Sequence, residues 1–261
     1  MNRVSQTLMH SNVTGGDILA RTVAIILSGG TGNRVGGSVP KQYIEVAGKP
    51  VISYCMKTIF SHELIDAVYI VADEIYHDLI GSEIEKLESK GCKKSLFRGF
   101  VKPGVTRQMS IYNALVDMES VSGAENIIGY DDVVIIHDAA RPLVSKKLLT
   151  GCIEAARRHD GVMPAFQVKD TVYVSKDGGT VNSLLNRNEI YAGQAPEAFR
   201  FGPYFDANKK LLPDKILSIC GSTEPAVLAG LDIVIIEGDE ANFKITTQAD
   251  LKRFKEIMTE K

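Results

Sequence analysis

The sequence predicts an α/β fold, a mostly parallel sheet with helices packed on its faces. Three observations point there. Apolar runs without alternation, at Val23–Leu27, Ala67–Val71 and Val133–Ile136, suit strands buried on both faces of a parallel sheet. Stretches with apolar residues at helical spacing fall between them. The first run opens into a glycine-rich loop and the third into a polar cluster, and the C-terminal ends of parallel strands are where such sheets bind ligands. With 261 residues and 44% hydrophobic content, the chain has material for one good-sized core.

The composition narrows the partners. Net charge is −2, so no basic excess marks a nucleic-acid surface. Small anions held by a few placed cations fit this balance better than a polyanion held by a field. The four cysteines, Cys55, Cys92, Cys152 and Cys220, are far apart and form no Cys-x-x-Cys pair, which argues against a zinc site. They read as reduced packing residues of a cytoplasmic protein, with Cys92, in a polar stretch, as the expected exposed thiol. No run reaches the ~18 apolar residues of a membrane span. Residues 1–20 are polar and mixed, without a signal-peptide core, and are expected to be a disordered extension before a single domain at 21–261.

The elements follow in order. After Val23–Leu27, the segment Ser28-Gly29-Gly30-Thr31-Gly32 lets the backbone turn tightly and bring N–H groups close to an anion. Arg34 and Lys41 follow, with Pro40 fixing the backbone before the second cation. A buried strand feeding a glycine loop with two cations suits a triphosphate. The loop is not a P-loop, because no Gly-Lys-Ser/Thr closes it. It also fails the dinucleotide fingerprint, since Val35 stands at the third glycine position.

Pro50–Phe60 reads as a helix with Val51, Ile52, Cys55, Met56 and Ile59 on one face. Ala67–Val71 is a strand, Tyr76–Ser89 an amphipathic helix ended by Gly91, and Ser95–Phe97 a short strand. The stretch Pro103-Gly104-Val105-Thr106-Arg107-Gln108-Met109-Ser110 enters a helix running to about Met118. Arg107 and Ser110 there read either as a helix start with a surface arginine or as nucleotide contacts. Val133–Ile136 ends in His137-Asp138-Ala139-Ala140-Arg141-Pro142. Asp138 is placed to hold Mg²⁺, which binds through one or two carboxylates plus substrate phosphates; the alternative is a turn cap. His137 reads as a packed histidine, and Arg141 as a partner for a phosphate or a carboxylate.

Ser145–His159 reads as a helix capped by Ser145, and Val162–Phe166 as a strand. Lys169–Val174 and Thr180–Val181, around Asp177-Gly178, read as a hairpin. A lone hairpin is marginal in water, so a partner to pack against is reasonable. Phe201–Leu211 reads as a helix before Pro213. Ser222 or Thr223 is expected to cap a short helix with Pro225 in its first turn. Ile233–Ile236 is a strand, and Thr247-x-x-Asp250 resembles a capping box opening a last helix to about Met258.

Ser28-Gly29-Gly30-Thr31-Gly32-Asn33-Arg34 with Pro40-Lys41-Gln42-Tyr43, then Gly104-x-x-Arg107-x-x-Ser110, the 137–142 cluster and Asn242-Phe243-Lys244-Ile245-Thr246 carry a family resemblance from Val23 to the C-terminus. The chain resembles the cytidylyltransferases of the methylerythritol-phosphate and ribitol-phosphate kind. The resemblance implies a Rossmann-like three-layer α/β/α nucleotidyltransferase domain with a protruding β-arm at 169–192. It implies transfer of a cytidylyl group from CTP to a polyol phosphate, with Mg²⁺ and a homodimer joined through the arm. The first acceptor is 2-C-methyl-D-erythritol 4-phosphate, for isoprenoid precursor synthesis; the alternative is D-ribitol 5-phosphate. By resemblance, Arg34, Lys41 and Lys244 are the catalytic cations and Asp138 the metal ligand. Leu27, Ser28, Gly29, Gly30, Gly32, Gly104, Ser110 and Ala139 are the nucleotide contacts. Arg141 and, from the partner chain, Thr171 and Arg187 are the acceptor contacts. Val105, Ala195, Pro225 and Ala241 depart from the family pattern.

Overall fold

The computed structural model describes residues 20–30, 39–120 and 128–259. The glycine-loop residues Thr31 and Gly32, the cation Arg34 and the expected extension before Ala20 lie outside the described residues. The strands are β1 (Thr22–Leu27), β2 (Glu45–Val46), β3 (Lys49–Pro50), β4 (Ala67–Val71), β5 (Phe97–Val101), β6 (Val133–Asp138), β7 (Gly161–Gln167), β8 (Tyr173–Val174), β9 (Ser183–Leu184), β10 (Tyr191–Gly193), β11 (Glu197–Arg200) and β12 (Ile233–Glu237). The helices are α1 (Val51–Phe60), α2 (His77–Glu88), α3 (Arg107–Ser120), α4 (Lys146–Ala156), α5 (Phe201–Lys209), α6 (Glu224–Leu228) and α7 (Gln248–Thr259).

Among the described residues the main sheet has eight strands, in the order β10-β7-β11-β6-β1-β4-β5, with β12 also pairing β7. The run β6-β1-β4-β5 is parallel. Successive side chains of a strand point to opposite faces, so each central strand feeds two cores. Ala24, Ile26, Val68, Ile70, Val133 and Ile135 face Ile52, Met56 and Ile59 of α1 and Leu149 and Ile153 of α4. Val23, Ile25, Val71, Val134 and Ile136 face Ile111 and Leu115 of α3 and Tyr204 and Phe205 of α5. This is the α/β layering the unbroken apolar runs predict. No described helix is long and apolar enough to cross a membrane.

Several local expectations are corrected. The segment at Ser95–Phe97 is mostly a 3-10 turn, Lys94–Leu96, and the strand proper is β5. Its half-buried edge position and Arg98-Gly99 interrupt the apolar run that would have announced it. The antiparallel strands β10 and β11 carry no such signal either, being short and mixed in polarity. The hairpin pairs Tyr173 with Leu184 and Val174 with Ser183, not with 180–181. The Asp177 carboxylate widens the turn by accepting from Gly179 N at 2.9 Å and from Thr180 N at 2.8 Å. Cys92 is buried and Cys220 is the exposed thiol. Thr223 is the N-cap residue of α6, as expected, with Pro225 in the first turn, but its hydroxyl makes no capping bond; it and the Ser222 hydroxyl donate to Glu197 instead.

Two caps stand where they were expected. At α7, Asp250 Oδ2 accepts from the amides of Thr246 and Thr247, each at 2.8 Å, and from both their hydroxyls. At α4, Ser145 Oγ accepts from Leu148 N at 3.2 Å. Ser145→Ala is expected to lower stability by about 1 kcal/mol. Urea unfolding should show this as a lower midpoint with an unchanged slope.

Candidate active site

The site is built where β1, β4 and β6 end. The Ser28 amide and hydroxyl both donate to Val71 O, at 2.9 and 2.7 Å, which ties the start of the glycine loop to the end of β4. A side chain at Gly29 would stand 2.5 Å from Pro103 Cγ, so glycine is what lets the loop lie against the segment before α3. Gly104 is under the same constraint, because an added Cβ would stand 2.5 Å from Met109 Cβ and 2.8 Å from Ser110 N. Its amide donates to Ser110 Oγ at 3.0 Å. From the far side, Gln42 Nε2 donates to Ser28 O at 2.5 Å and Gly30 O at 2.7 Å, and Tyr43 OH donates to Ser28 O at 3.0 Å. The carbonyls of Ser28 and Gly30 are thereby held by side-chain donors.

These segments enclose a cavity of about 490 Å³. Of the expected site residues, Leu27, Gly29, Gly30, Lys41, Gly104, Ser110, Asp138 and Lys244 line it together. They come from five separate stretches of the chain. Ser28 and Ala139 sit buried behind the wall, and Ala140 takes the lining position. Arg141 is also behind it: its guanidinium donates to Asn242 O at 2.8 Å and its Nε stands 3.9 Å from Asp138 Oδ2. Of the two readings left for Arg141, the carboxylate is the one this chain provides. His137 is packed as expected, with Nε2 3.0 Å from Arg141 O, and burial pushes its pKa down to about 4. Thr171 and Arg187 are not in this cavity. Arg187 lines a second, larger one of about 950 Å³ near the arm, with Lys169 and Glu240. That space gathers charges of both signs and holds neither the glycine loop nor Asp138, so the smaller cavity is the candidate site.

Asp138 organises its electrostatics. Only 7% exposed, it receives Arg107 Nε on Oδ1 at 3.1 Å and Lys244 Nζ on Oδ2 at 2.8 Å. Burial alone would raise its pKa; the charges of Arg107, Lys244 and Arg141 outweigh that and hold it well below the usual carboxylate range. Arg107 was open between two readings in the sequence, and the structure brings it to the cavity wall. Two further contributors carried no motif signal of their own. One is Gln42, which clamps the loop and stands in the Pro40–Tyr43 motif with no role assigned to it there; the other is Glu197, which accepts from Ser222 and Thr223 beside Arg107. Among the described residues no cluster of three or more His, Cys, Asp or Glu could cage a metal. A single ionised carboxylate with spare lone pairs fits Mg²⁺, which keeps several waters and takes most of its charge partners from substrate phosphates.

A glycine loop, two lysines and Arg107 around an anchored carboxylate are suited to a nucleoside triphosphate, and on this sheet they mark a nucleotidyltransferase. The chain belongs to the 2-C-methyl-D-erythritol 4-phosphate cytidylyltransferase family, whose model matches residues 22–260. It is 35% identical over 228 residues to the 2-C-methyl-D-erythritol 4-phosphate cytidylyltransferase of Clostridium beijerinckii, covering 87% of this chain and 94% of that one. It is 32% identical over 243 residues to the enzyme of the same name from Geobacter metallireducens, covering 91% and 97%. A solved 4-diphosphocytidyl-2C-methyl-D-erythritol synthase from Anaerococcus prevotii superposes with a TM-score of 0.75 over 93% of this chain and 97% of that one; at 24% identity it speaks for the fold. These relatives fit the methylerythritol-phosphate reading and not the ribitol one.

Asp138→Asn leaves Arg107 and Lys244 without their anion. It is expected to cost about 3 kcal/mol at neutral pH, as breaking a buried pair does. Because the folded-state pKa is depressed, the native carboxylate contributes fully above about pH 4 and loses that contribution as pH falls further. Urea unfolding of both proteins should therefore show a constant gap from about pH 5 to 8 that narrows below about pH 4.

Proposed function

We propose that this chain transfers the cytidylyl group of CTP to 2-C-methyl-D-erythritol 4-phosphate, as a Mg²⁺-dependent homodimer in the cytoplasm. The observation that carries the reading is the convergence of the glycine loop, Lys41, Lys244 and Asp138 on one cavity. A phosphate oxygen of the acceptor attacks the α-phosphorus of CTP, the bond to the β-phosphate bridge breaks, and pyrophosphate leaves with the electron pair. The nucleophile is already an anion at neutral pH, so no general base is needed. The barrier is repulsion between anions and charge gathering on the leaving group, which placed cations answer.

In this reading Lys41 and Arg34 hold the β- and γ-phosphates and Lys244 neutralises the α-phosphate. Main-chain groups of the glycine loop hold the nucleotide, Gly104 and Ser110 line its other side, and the tight loop leaves little room for a purine. Asp138 holds Lys244 in place and would be the protein's ligand to Mg²⁺, which when bound supplies charge neutralisation across the phosphates. Thr171 and Arg187, exposed on the arm and remote from this chain's own cavity, would hold the acceptor phosphate in the partner's site. Exposed Tyr173 and Leu184 on a hairpin of two-residue strands support packing of the arm on a second copy. The unpaired cysteines suit a reducing compartment.

Pyrophosphate release with CTP and Mg²⁺ should occur with methylerythritol 4-phosphate and not with ribitol 5-phosphate. Lys41→Ala and Lys244→Ala should each lower kcat/KM by about 10²-fold or more; release with ribitol 5-phosphate alone would sink the acceptor assignment. The arm gives a separate expectation. Arg187→Ala and Lys244→Ala are each inactive as homodimers, but after subunit exchange a hybrid has one intact site. The mixture should recover about a quarter of wild-type activity, from half the dimers with half their sites. No recovery would mean that the arm serves its own chain.

A further inference from the structure

Glu197 is a buried carboxylate that the transfer reaction does not use. It opens β11 and pairs in register with Ile136, two residues before Asp138. It does not line the cavity. Both of its oxygens are taken by hydroxyls: Oε1 accepts from Thr223 Oγ1 at 2.7 Å, and Oε2 accepts from Ser222 Oγ. Ser222 has one proton to give and gives it to Glu197. Its oxygen is therefore turned toward Arg107 as an acceptor and receives NH1 at 2.6 Å. The Arg107 NH2 stands 3.7 Å from Glu197 Oε2, and Nε donates to Asp138 Oδ1 at 3.1 Å. Hydrogen bonds thus run in one sense from Arg107 through Ser222 to Glu197, and the other side of the same guanidinium rests on the site carboxylate.

We propose that Glu197 is a positioning residue: through Ser222 it fixes the Arg107 guanidinium and, through that, the orientation of Asp138 against Lys244. A planar guanidinium held at all three nitrogens cannot rotate. Without Glu197, the Ser222 hydroxyl loses its acceptor and no longer has a fixed sense, and Arg107 is left with one firm anchor. Asp138 then turns about its own side chain and carries Lys244 with it. Displacing a reacting group's cation by about 1 Å is enough to cost up to about 10²-fold in rate. The inference rests on the transfer reading for its kinetic consequence, but its structural half stands apart from turnover.

The test combines kinetics with ¹⁵N NMR of the arginine Nε–H groups, assigned with Arg107→Lys. Glu197→Ala should lower kcat/KM for CTP about tenfold, with most of the loss in kcat. Glu197→Gln keeps an oxygen to accept from Ser222 and should stay within about threefold of wild type. Arg107→Gln should lose more than Glu197→Ala, and the double variant should match Arg107→Gln, because Glu197 acts through Arg107. The Arg107 Nε–H signal should be protected from solvent exchange in wild type and in Glu197→Gln and lose that protection in Glu197→Ala. Ser222→Ala removes the relay alone and is read in the same way if Glu197→Ala does not fold. Unchanged protection in Glu197→Ala or Ser222→Ala, kcat/KM of Glu197→Ala within twofold of wild type, or additive losses in the double variant would overturn the inference. Protection that is lost as expected in a wild-type background without turnover would sink the transfer reading and leave the positioning chain standing.

Discussion

A carboxylate almost removed from water cannot stay ionised alone, and Asp138 is kept ionised by cations from three directions: Arg107 from the start of α3, Arg141 from just past β6, and Lys244 from the segment before α7. Those three cations need Asp138 as much as it needs them, since each would otherwise crowd like charges at the end of one strand. The pairings close a loop between segments more than 100 residues apart in sequence. The bond from Lys244 Nζ to Asp138 joins two residues that both line the cavity. A net excess of positive charge remains around the cavity, which is the field a triphosphate requires.

The other side of the cavity is held by neutral hydrogen bonds. Ser28 is locked to the end of β4, while Gln42 and Tyr43 hold the loop carbonyls from behind. Carbonyls so occupied cannot face an anion, and amides can. The loop is therefore held in one shape by these side chains before a phosphate arrives. Gly29 against Pro103 brings the two cavity-lining segments together at a spacing that any side chain would prevent, and Gly104 lets the second segment fold back on Met109. Preorganisation of this kind is worth most where charge transfer is the main chemistry.

The arm belongs to a different balance. Its two short strands make one small ladder, its turn is built by Asp177, and its large apolar residues face solvent. Among the described residues nothing covers them. Arg187 stands with the arm beside a separate cavity, remote from the glycine loop.

The sequence by itself determined the parallel centre of the sheet, because Val23–Leu27, Ala67–Val71 and Val133–Ile136 are apolar without interruption and need burial on both faces. That the loop glycines, Lys41, Asp138 and Lys244 converge on one cavity is what the structure adds; Lys244 was legible through the family resemblance, and the glycines, Lys41 and Asp138 as anion chemistry after such strands. The caps at Ser145 and Asp250 were legible for the same local reason. Tertiary structure alone decided the rest. The strands β10 and β11 are short and mixed in polarity, and their place in the sheet comes from neighbours distant in sequence. It decided that Arg107 faces Asp138 instead of solvent, that Arg141 turns inward to Asn242 O, and that Ala140 and not Ala139 meets the cavity. It also took the Ser222 and Thr223 hydroxyls from a helix end and gave them to Glu197. Local spacing records which groups a segment carries; which buried charge finds which partner is set by desolvation, and that exists only once distant segments have excluded water together.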